Sequence, residues 1–235
     1  MAERQQYATL TGIDLPPAAE TSGDILVMLH GYGSNEKDLL QLAPALDGRL
    51  RCVSLRAPLR LEEQMFGWFP IAFTPDGISY DRDQAAQARQ DLADALKAII
   101  ERHQPRDGRV WLMGFSQGAV MSYLTALHTP EVLQGVLALS GRYPDAPGMN
   151  LRLPEAVATL PFLVIHGLYD DVLPVDNARR ARERLEGRVG DLVYREYPMG
   201  HGISDDALDE IGRWLTRQLD RQENRAGTRN SRNSA

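Results

Sequence analysis

Apolar residues follow two patterns that alternate along the chain. Short, continuous apolar runs predict buried parallel strands, at 25–29, 50–55, 110–113, 135–139, 162–165 and 192–197. Apolar residues that recur at helical spacing predict helices, at 83–103, 117–128, 176–187 and 204–220. Another helix is predicted at 39–46, with Ser34 or Asn35 as its N-cap. Strands and helices in alternation are typical of an α/β fold with a mostly parallel central sheet and helices on both faces.

The chain length favours a single domain. A chain of 235 residues is long enough for one α/β domain with a sizeable core, and we assign residues 1–221 to it. Residues 222–235 contain no large apolar side chain whose burial would offset the entropy of ordering them. They are therefore predicted to form a disordered, weakly basic tail.

Composition and charge exclude several classes of protein. Hydrophobic residues make up 43% of the chain and the formal net charge is −6, which favours a folded domain and disfavours nucleic acid as the main partner. No apolar run approaches the roughly 18–20 residues that cross a membrane, so no stable membrane insertion is expected. The N-terminus lacks the hydrophobic core of a signal peptide, and a single cysteine, Cys52, excludes an intrachain disulfide. The resulting expectation is a cytoplasmic location.

A candidate nucleophile lies in the pentapeptide 114–118. Its sequence, Gly-Phe-Ser-Gln-Gly, matches G-x-S-x-G and stands between a predicted strand and a predicted helix. Small residues at Gly114 and Gly118 allow a sharp turn that points the Ser116 hydroxyl outward. The N-terminus of the following helix offers free N–H groups for a developing oxyanion. A serine at an ordinary strand end is the alternative interpretation.

A serine hydroxyl needs a base and an orienting acid to act as a nucleophile near neutral pH. Enzymes that carry this pentapeptide present the three groups in the chain order Ser, then Asp or Glu, then His, each in a loop after a strand. Here Asp170 or Asp171 follows one predicted strand, and His201 follows the next. Ser116, an aspartate and His201 therefore occur in the required order. No histidine has a metal-ligand spacing to Cys52, so no metal is expected.

Four motifs together resemble the phospholipase/carboxylesterase family, which includes the acyl-protein thioesterases. The motifs are His30-Gly31-Tyr32-Gly33-Ser34-Asn35-Glu36-Lys37-Asp38-Leu39, Gly114-Phe115-Ser116-Gln117-Gly118-Ala119, His166-Gly167 with Asp170, and Gly200-His201. The resemblance covers roughly residues 20–218. It implies a compact α/β-hydrolase with little or no lid, which needs no metal and no cofactor.

The resemblance also assigns roles to individual residues. It implies that Ser116 is the nucleophile, that His201 is the general base, and that the spacing of the family selects Asp170, of the two aspartates, as the acid. The backbone N–H groups of Tyr32 and Gln117 are expected to form the oxyanion hole.

The connection at 56–80 is long for a link between a strand and a helix, and it is rich in apolar residues. By resemblance, Trp68 and Phe69 in this loop border an acyl-binding groove. A packed loop that covers one edge of the core is the alternative, and the two interpretations are compatible. Leu168 and Tyr169 are also expected to face the site and contact the substrate.

These residues predict a serine carboxylesterase that hydrolyses esters of small to medium acyl chains through an acyl-enzyme. Cleavage of acyl-protein thioesters or lysophospholipids is the rival activity. A ligand-binding protein without catalysis on the same scaffold is a hypothesis of another class, which the intact set of candidate catalytic residues disfavours. The expected partner is a small-molecule ester, and a homodimer formed through apolar surface near the site is compatible with the sequence.

Overall fold

The computed structural model describes residues 2–19, 23–74, 77–144 and 153–233. Within these ranges the strands are β1 (Glu3–Tyr7), β2 (Leu10–Leu15), β3 (Ile25–Leu29), β4 (Arg51–Leu55), β5 (Leu59–Arg60), β6 (Phe66–Gly67), β7 (Ile71–Thr74), β8 (Gly77–Tyr80), β9 (Val110–Phe115), β10 (Leu133–Leu139), β11 (Pro161–Gly167) and β12 (Asp191–Tyr197). The α-helices are α1 (Arg82–His103), α2 (Gln117–His128), α3 (Asp176–Leu185) and α4 (Asp205–Asn233).

The central sheet has the strand order β1-β2-β4-β3-β9-β10-β11-β12. The strands from β4 to β12 in this order are parallel, whereas β1 and β2 are antiparallel to each other and β2 is antiparallel to β4. Each of the six predicted strands lies in the parallel part, so the predicted fold class is confirmed. Because the carboxyl ends of parallel strands meet at one edge of a sheet, the loops after β3, β9, β11 and β12 lie on the same side of the molecule.

Helices cover both faces of the sheet. On one face α1, α2 and α3 bury residues such as Leu92, Met121 and Ala181, and on the other face α4 buries Ile211 and Trp214. Every residue of β3 and of β10 is buried because both faces are covered, which explains their continuous apolar runs. Among the described residues, none of the helices has the length and apolar character needed to cross a bilayer.

The N-terminal hairpin of β1 and β2 has no counterpart in the sequence prediction. Strand β1 reads Glu-Arg-Gln-Gln-Tyr, and only its Tyr7 is buried, so it has no apolar alternation that indicates a strand. Contacts with distant residues hold the hairpin in place. Arg4 lies 2.9 Å from the buried carboxylate of Glu36, and Arg51 lies 2.6 Å from that of Asp14.

The first predicted helix is a 3₁₀ helix, Leu39–Ala45, and not an α-helix. Pro44 lies inside it and lacks the N–H group that an α-helical hydrogen bond requires. The residue at the N-cap position is Asp38, which forms no side-chain capping bond. The prediction of Ser34 or Asn35 as the N-cap is therefore wrong, and the Ser34 hydroxyl instead donates to the Asp38 carboxylate at 2.8 Å.

The last helix is longer than predicted. Helix α4 continues to Asn233, through most of the segment from 222 onward that is predicted to be a disordered tail. Arg49 forms ion pairs with Asp220 at 2.8 Å and with Glu223 at 3.0 Å. These ion pairs tie the helix to the body of the domain beyond residue 221. The domain bounds themselves stay a prediction.

Candidate active site

Ser116 lies in a strained turn between β9 and α2. Its backbone has φ 53° and ψ −113°, a conformation that residues other than glycine rarely adopt. A Cβ atom at Gly114 would lie 2.1 Å from the carbonyl oxygen of Gly118, and a Cβ atom at Gly118 would lie 2.0 Å from that of Leu29. Only glycine fits at these two positions, which is the physical reason for the G-x-S-x-G pattern.

Three loops at the carboxyl ends of β9, β11 and β12 bring Ser116, Asp170 and His201 together. The Nδ1 atom of His201 is 2.7 Å from Oδ2 of Asp170, and its Nε2 atom is 3.0 Å from Oγ of Ser116. In the neutral ring with its proton on Nδ1, the imidazole donates to the carboxylate and accepts from the hydroxyl. A base in this state is oriented to remove the serine proton.

The two neighbouring aspartates have different surroundings. Asp170 is buried, and its Oδ1 atom accepts hydrogen bonds from the backbone N–H of Val172 at 3.0 Å and of Leu173 at 2.7 Å. Asp171 is exposed. The contact with His201 is therefore made by Asp170, the residue that the family spacing favours.

The backbone N–H groups of Tyr32 and Gln117 are free to bind an oxyanion. Neither N–H has an acceptor among the described residues, and the N–H groups in the first turn of a helix have no partner within it. A Cβ atom at Gly31 would lie 3.3 Å from the Cβ atom of Ser116, so the turn that contains Tyr32 passes close to the serine. Gly33 has a φ of +82°, which favours glycine in this turn.

Trp68 and Phe69 are packed in the core. Each of these side chains is only 2% exposed. Nε1 of Trp68 donates to the carbonyl oxygen of His30 at 2.9 Å, and the ring of Phe69 packs against Tyr80 with 5.0 Å between the centroids. Both rings are packed in the core, as the alternative of a packed loop describes. That they border an acyl groove stays a prediction.

The side chain of Gln117 holds this loop in place, a role that the sequence pattern did not reveal. Its Oε1 atom accepts from the N–H of Trp68 at 2.8 Å, and its Nε2 atom donates to the carbonyl of Phe69 at 2.7 Å. In the same loop, the carbonyl oxygen of Phe66 accepts a hydrogen bond from the N–H of Gly33 at 2.8 Å. The loop therefore contacts both segments that carry the candidate oxyanion donors. An amide directly after the serine is the only signal for this contact in the sequence.

Large apolar side chains near the site are exposed in the described part of the chain: Met65, Leu168, Tyr169 and Val172. The N–H of Leu168 donates to the carbonyl of Tyr197 at the end of β12, at 2.8 Å, and the N–H of Tyr169 donates to Met199 in the loop after it, at 3.0 Å. Both residues therefore lie beside the segment that leads to His201. Their contact with a substrate stays a prediction.

Burial favours the neutral form of three other titratable side chains, those of His30, His166 and Cys52. It lowers the pKa of His30 and of His166 below the ordinary value of an imidazole. Burial also raises the pKa of Cys52 to about 12, so its thiol stays protonated and is not a nucleophile. No group of three or more histidine, cysteine, aspartate or glutamate residues within the described ranges is arranged to hold a metal ion.

The parallel sheet and the strained turn between β9 and α2 are features of the α/β-hydrolase fold. The sequence profile of the phospholipase/carboxylesterase family matches residues 16–219. The chain belongs to this family, and it is a hydrolase. The predicted resemblance is confirmed.

Individual relatives include esterases and a thioesterase. The chain is 27% identical to MhqD of Bacillus subtilis (strain 168) over 194 residues, which are 83% of this chain and 93% of MhqD. It is 32% identical to acyl-protein thioesterase 1 of Gibberella zeae over 118 residues, which are 47% of this chain and 48% of that protein. The structure resembles that of esterase PE8 with a TM-score of 0.76 and 27% identity, over 88% of this chain and 98% of PE8.

Proposed function

We propose that the protein is a serine carboxylesterase that hydrolyses esters of small to medium acyl chains through an acyl-enzyme. The observation that carries this proposal is the chain of contacts from Asp170 to His201 and from His201 to Ser116, at 2.7 and 3.0 Å. A serine hydroxyl is a weak nucleophile at neutral pH, and an oriented base of this kind activates it.

In the first half-reaction, Nε2 of His201 takes the proton of the Ser116 hydroxyl while the serine oxygen attacks the ester carbonyl. The negative oxygen of the tetrahedral intermediate is placed at the N–H groups of Tyr32 and Gln117. The bond between the carbonyl carbon and the alcohol oxygen then breaks, and His201 gives its proton to the leaving oxygen. The alcohol departs, and the acyl group stays bound to Ser116.

The second half-reaction repeats these steps with water as the nucleophile. His201 takes a proton from water as the water oxygen attacks the acyl carbonyl, and it returns the proton to the serine oxygen when the acyl–serine bond breaks. The carboxylic acid is released and the hydroxyl of Ser116 is restored. In both halves Asp170 orients the imidazole and stabilises its charged form.

The exposed apolar side chains around the site support an acyl chain of small to medium length. Tyr169 is 70% exposed and lies beside the His201 loop. Met65 reaches the oxyanion turn, since its Cε atom lies 3.3 Å from the position of a Cβ atom at Gly33. An apolar surface of this kind stabilises a few methylene groups, each by up to about 0.8 kcal/mol when fully buried.

Thioester cleavage is the second candidate, because one relative is named an acyl-protein thioesterase. The same attack and the same oxyanion donors act on a thioester, and the leaving group is then a thiol. The two activities differ only in what lies beyond the scissile bond. Direct comparison of substrates with the same acyl group separates them.

A substrate panel tests the proposal. It consists of p-nitrophenyl esters from acetate to dodecanoate, an acyl-thioester and a lysophospholipid. We expect the highest kcat/KM on esters of short or medium chains, and a loss of about 10⁴–10⁶ in kcat in Ser116→Ala. Ser54→Ala is the matched control, because the Ser54 hydroxyl is buried without a hydrogen-bond partner among the described residues. A preference of more than about tenfold for the thioester would favour the thioesterase, and binding without turnover would favour a non-catalytic protein.

We also propose a cytoplasmic location. Cys52 is buried and forms no disulfide, which is compatible with a reducing compartment.

A further inference from the structure

A second histidine lies directly behind the carboxylate of Asp170. His166, near the end of β11, is completely buried. Its Nε2 atom is 2.7 Å from the carbonyl oxygen of Leu173 and 3.2 Å from Oδ2 of Asp170. Its Nδ1 atom is buried and has no partner among the described residues. Because only Nε2 faces acceptors, the proton of the neutral ring belongs on Nε2.

The Nε2 atom of His166, hydrogen-bonded to the Leu173 carbonyl, also lies beside the negative charge of Asp170. Titratable groups that act on its ring are Asp170, His201 and Glu196. Glu196 lies beside His166 on β12 and is held by Arg179 of α3, at 2.9 and 3.0 Å. Strand β10, on the other side, contributes no titratable side chain. Burial lowers the pKa of His166, so the ring stays neutral and keeps one N–H donor.

The peptide group of Leu173 connects His166 to Asp170. Its N–H donates to Oδ1 of Asp170 at 2.7 Å, and its carbonyl oxygen accepts from His166. The N–H of Val172 is a second donor to Oδ1, at 3.0 Å. One carboxylate oxygen is thus fixed by the loop, while the other lies between the two imidazole rings. This arrangement restricts rotation of the carboxylate away from His201.

We infer that His166 is a positioning residue for the catalytic apparatus: its Nε2–H holds Leu173 and the Asp170 carboxylate in the orientation that His201 requires. The kinetic consequences rest on the proposed function, whereas the effect on His201 is a property of the free protein. When this N–H is removed, the negative charge of Asp170 is less offset. The charged form of the His201 imidazole is then favoured, and the ring loses its proton at a higher pH.

Two substitutions at one position test the inference. His166→Leu removes the donor and places an apolar side chain beside the Leu173 carbonyl and the Asp170 carboxylate, whereas His166→Gln keeps an N–H group near the place of Nε2. We expect His166→Leu to lower kcat on p-nitrophenyl butyrate by about 10–100-fold with little change in KM. The acid limb of its kcat/KM profile moves to higher pH by about half a unit. His166→Gln recovers most of both losses. The control is His128→Gln, at the exposed end of α2.

A second readout needs no substrate. The ring protons of His201 are followed by NMR as the pH is changed, and their titration moves to higher pH in His166→Leu but not in His166→Gln. If the unchanged protein hydrolyses no ester, the proposed function fails, and the NMR titration still decides the role of His166. Identical titrations in the Leu variant and the unchanged protein, or equal losses in the Leu and Gln variants, would overturn the inference. His166→Asn, which places its amide at Nδ1, serves as the donor-lacking variant if His166→Leu does not fold.

Discussion

Asp170 and Asp171 are neighbours in the chain with the same side chain, and the loop after β11 gives them different roles. Asp170 is buried against His201, whereas Asp171 is exposed. We expect Asp170→Asn to fold and to lose about 10³–10⁴ in kcat, because an amide favours the wrong imidazole tautomer. Asp171→Asn is the matched control, and its kcat should stay within about twofold, since an exposed carboxylate contributes little. Steady-state kinetics on one ester decide the assignment, and a reversed pair of effects would move it to Asp171.

At the scale of single residues, the candidate catalytic set could be predicted because each member has a local signal. Ser116 has its two glycines, and Asp170 and His201 each follow an apolar strand. The positions of Trp68 and Phe69 had no such signal. An apolar loop is compatible with a groove or with a core. The hydrogen bond that fixes this loop comes from the side-chain amide of Gln117, which lies 49 residues away from Trp68 in the sequence.

At the scale of elements, the segment from Phe66 to Phe69 connects the two candidate oxyanion segments. Trp68→Phe keeps an aromatic ring but removes the Nε1–H bond to the His30 carbonyl, together with part of the buried ring volume. We expect kcat to fall by about tenfold, by the same factor for acetate and octanoate esters, because the loop positions the N–H donors and does not bind the acyl chain. The measurement is kcat and KM for the two esters.

The matched control for this substitution is Trp214→Phe. Trp214 is also buried, on the opposite face of the sheet, and its Nε1 atom has no hydrogen-bond partner among the described residues. The kcat of Trp214→Phe should equal that of the unchanged protein. A loss confined to the octanoate ester in Trp68→Phe would mean that Trp68 contacts the acyl chain after all.

Elements were predictable where burial on both faces produces a continuous apolar run, as in β3 and β10. They were not predictable where distant partners determine the structure. Strand β1 is polar and is held by pairing with β2 and by contacts such as Arg4 with Glu36. Helix α4 continues past 221, where Arg49 from another part of the chain binds Glu223.

At the scale of the whole molecule, stability should fall on mild acidification. Burial lowers the pKa of His30 and His166 below 6.5, the value expected in the unfolded chain. Below about pH 6.5 the unfolded chain therefore binds protons that the folded protein excludes, and each of these histidines costs up to about 1.4 kcal/mol of stability per pH unit. Above that pH both forms are neutral at these positions, and their contribution is constant.

Urea denaturation at pH 7.5, 6.5 and 5.5 measures this effect. We expect the free energy of unfolding to change little between the first two values and to fall between the last two. The Asp47 carboxylate does not titrate in this window, because its hydrogen bond with Arg49 holds its pKa at about 2. The fall should be smaller in His166→Gln. Equal stability at pH 7.5 and 5.5 would contradict the assignment of two buried neutral histidines.

The central claim is that Ser116 forms a covalent acyl-enzyme, and reaction with a fluorophosphonate tests it most directly. We expect intact-mass spectrometry to show one adduct per chain, peptide sequencing to place the adduct on Ser116, and esterase activity to fall in proportion to labelling. Ser116→Ala should take up no label, while Ser54→Ala should be labelled like the unchanged protein. An adduct on another residue, or full esterase activity in a completely labelled protein, would contradict the claim.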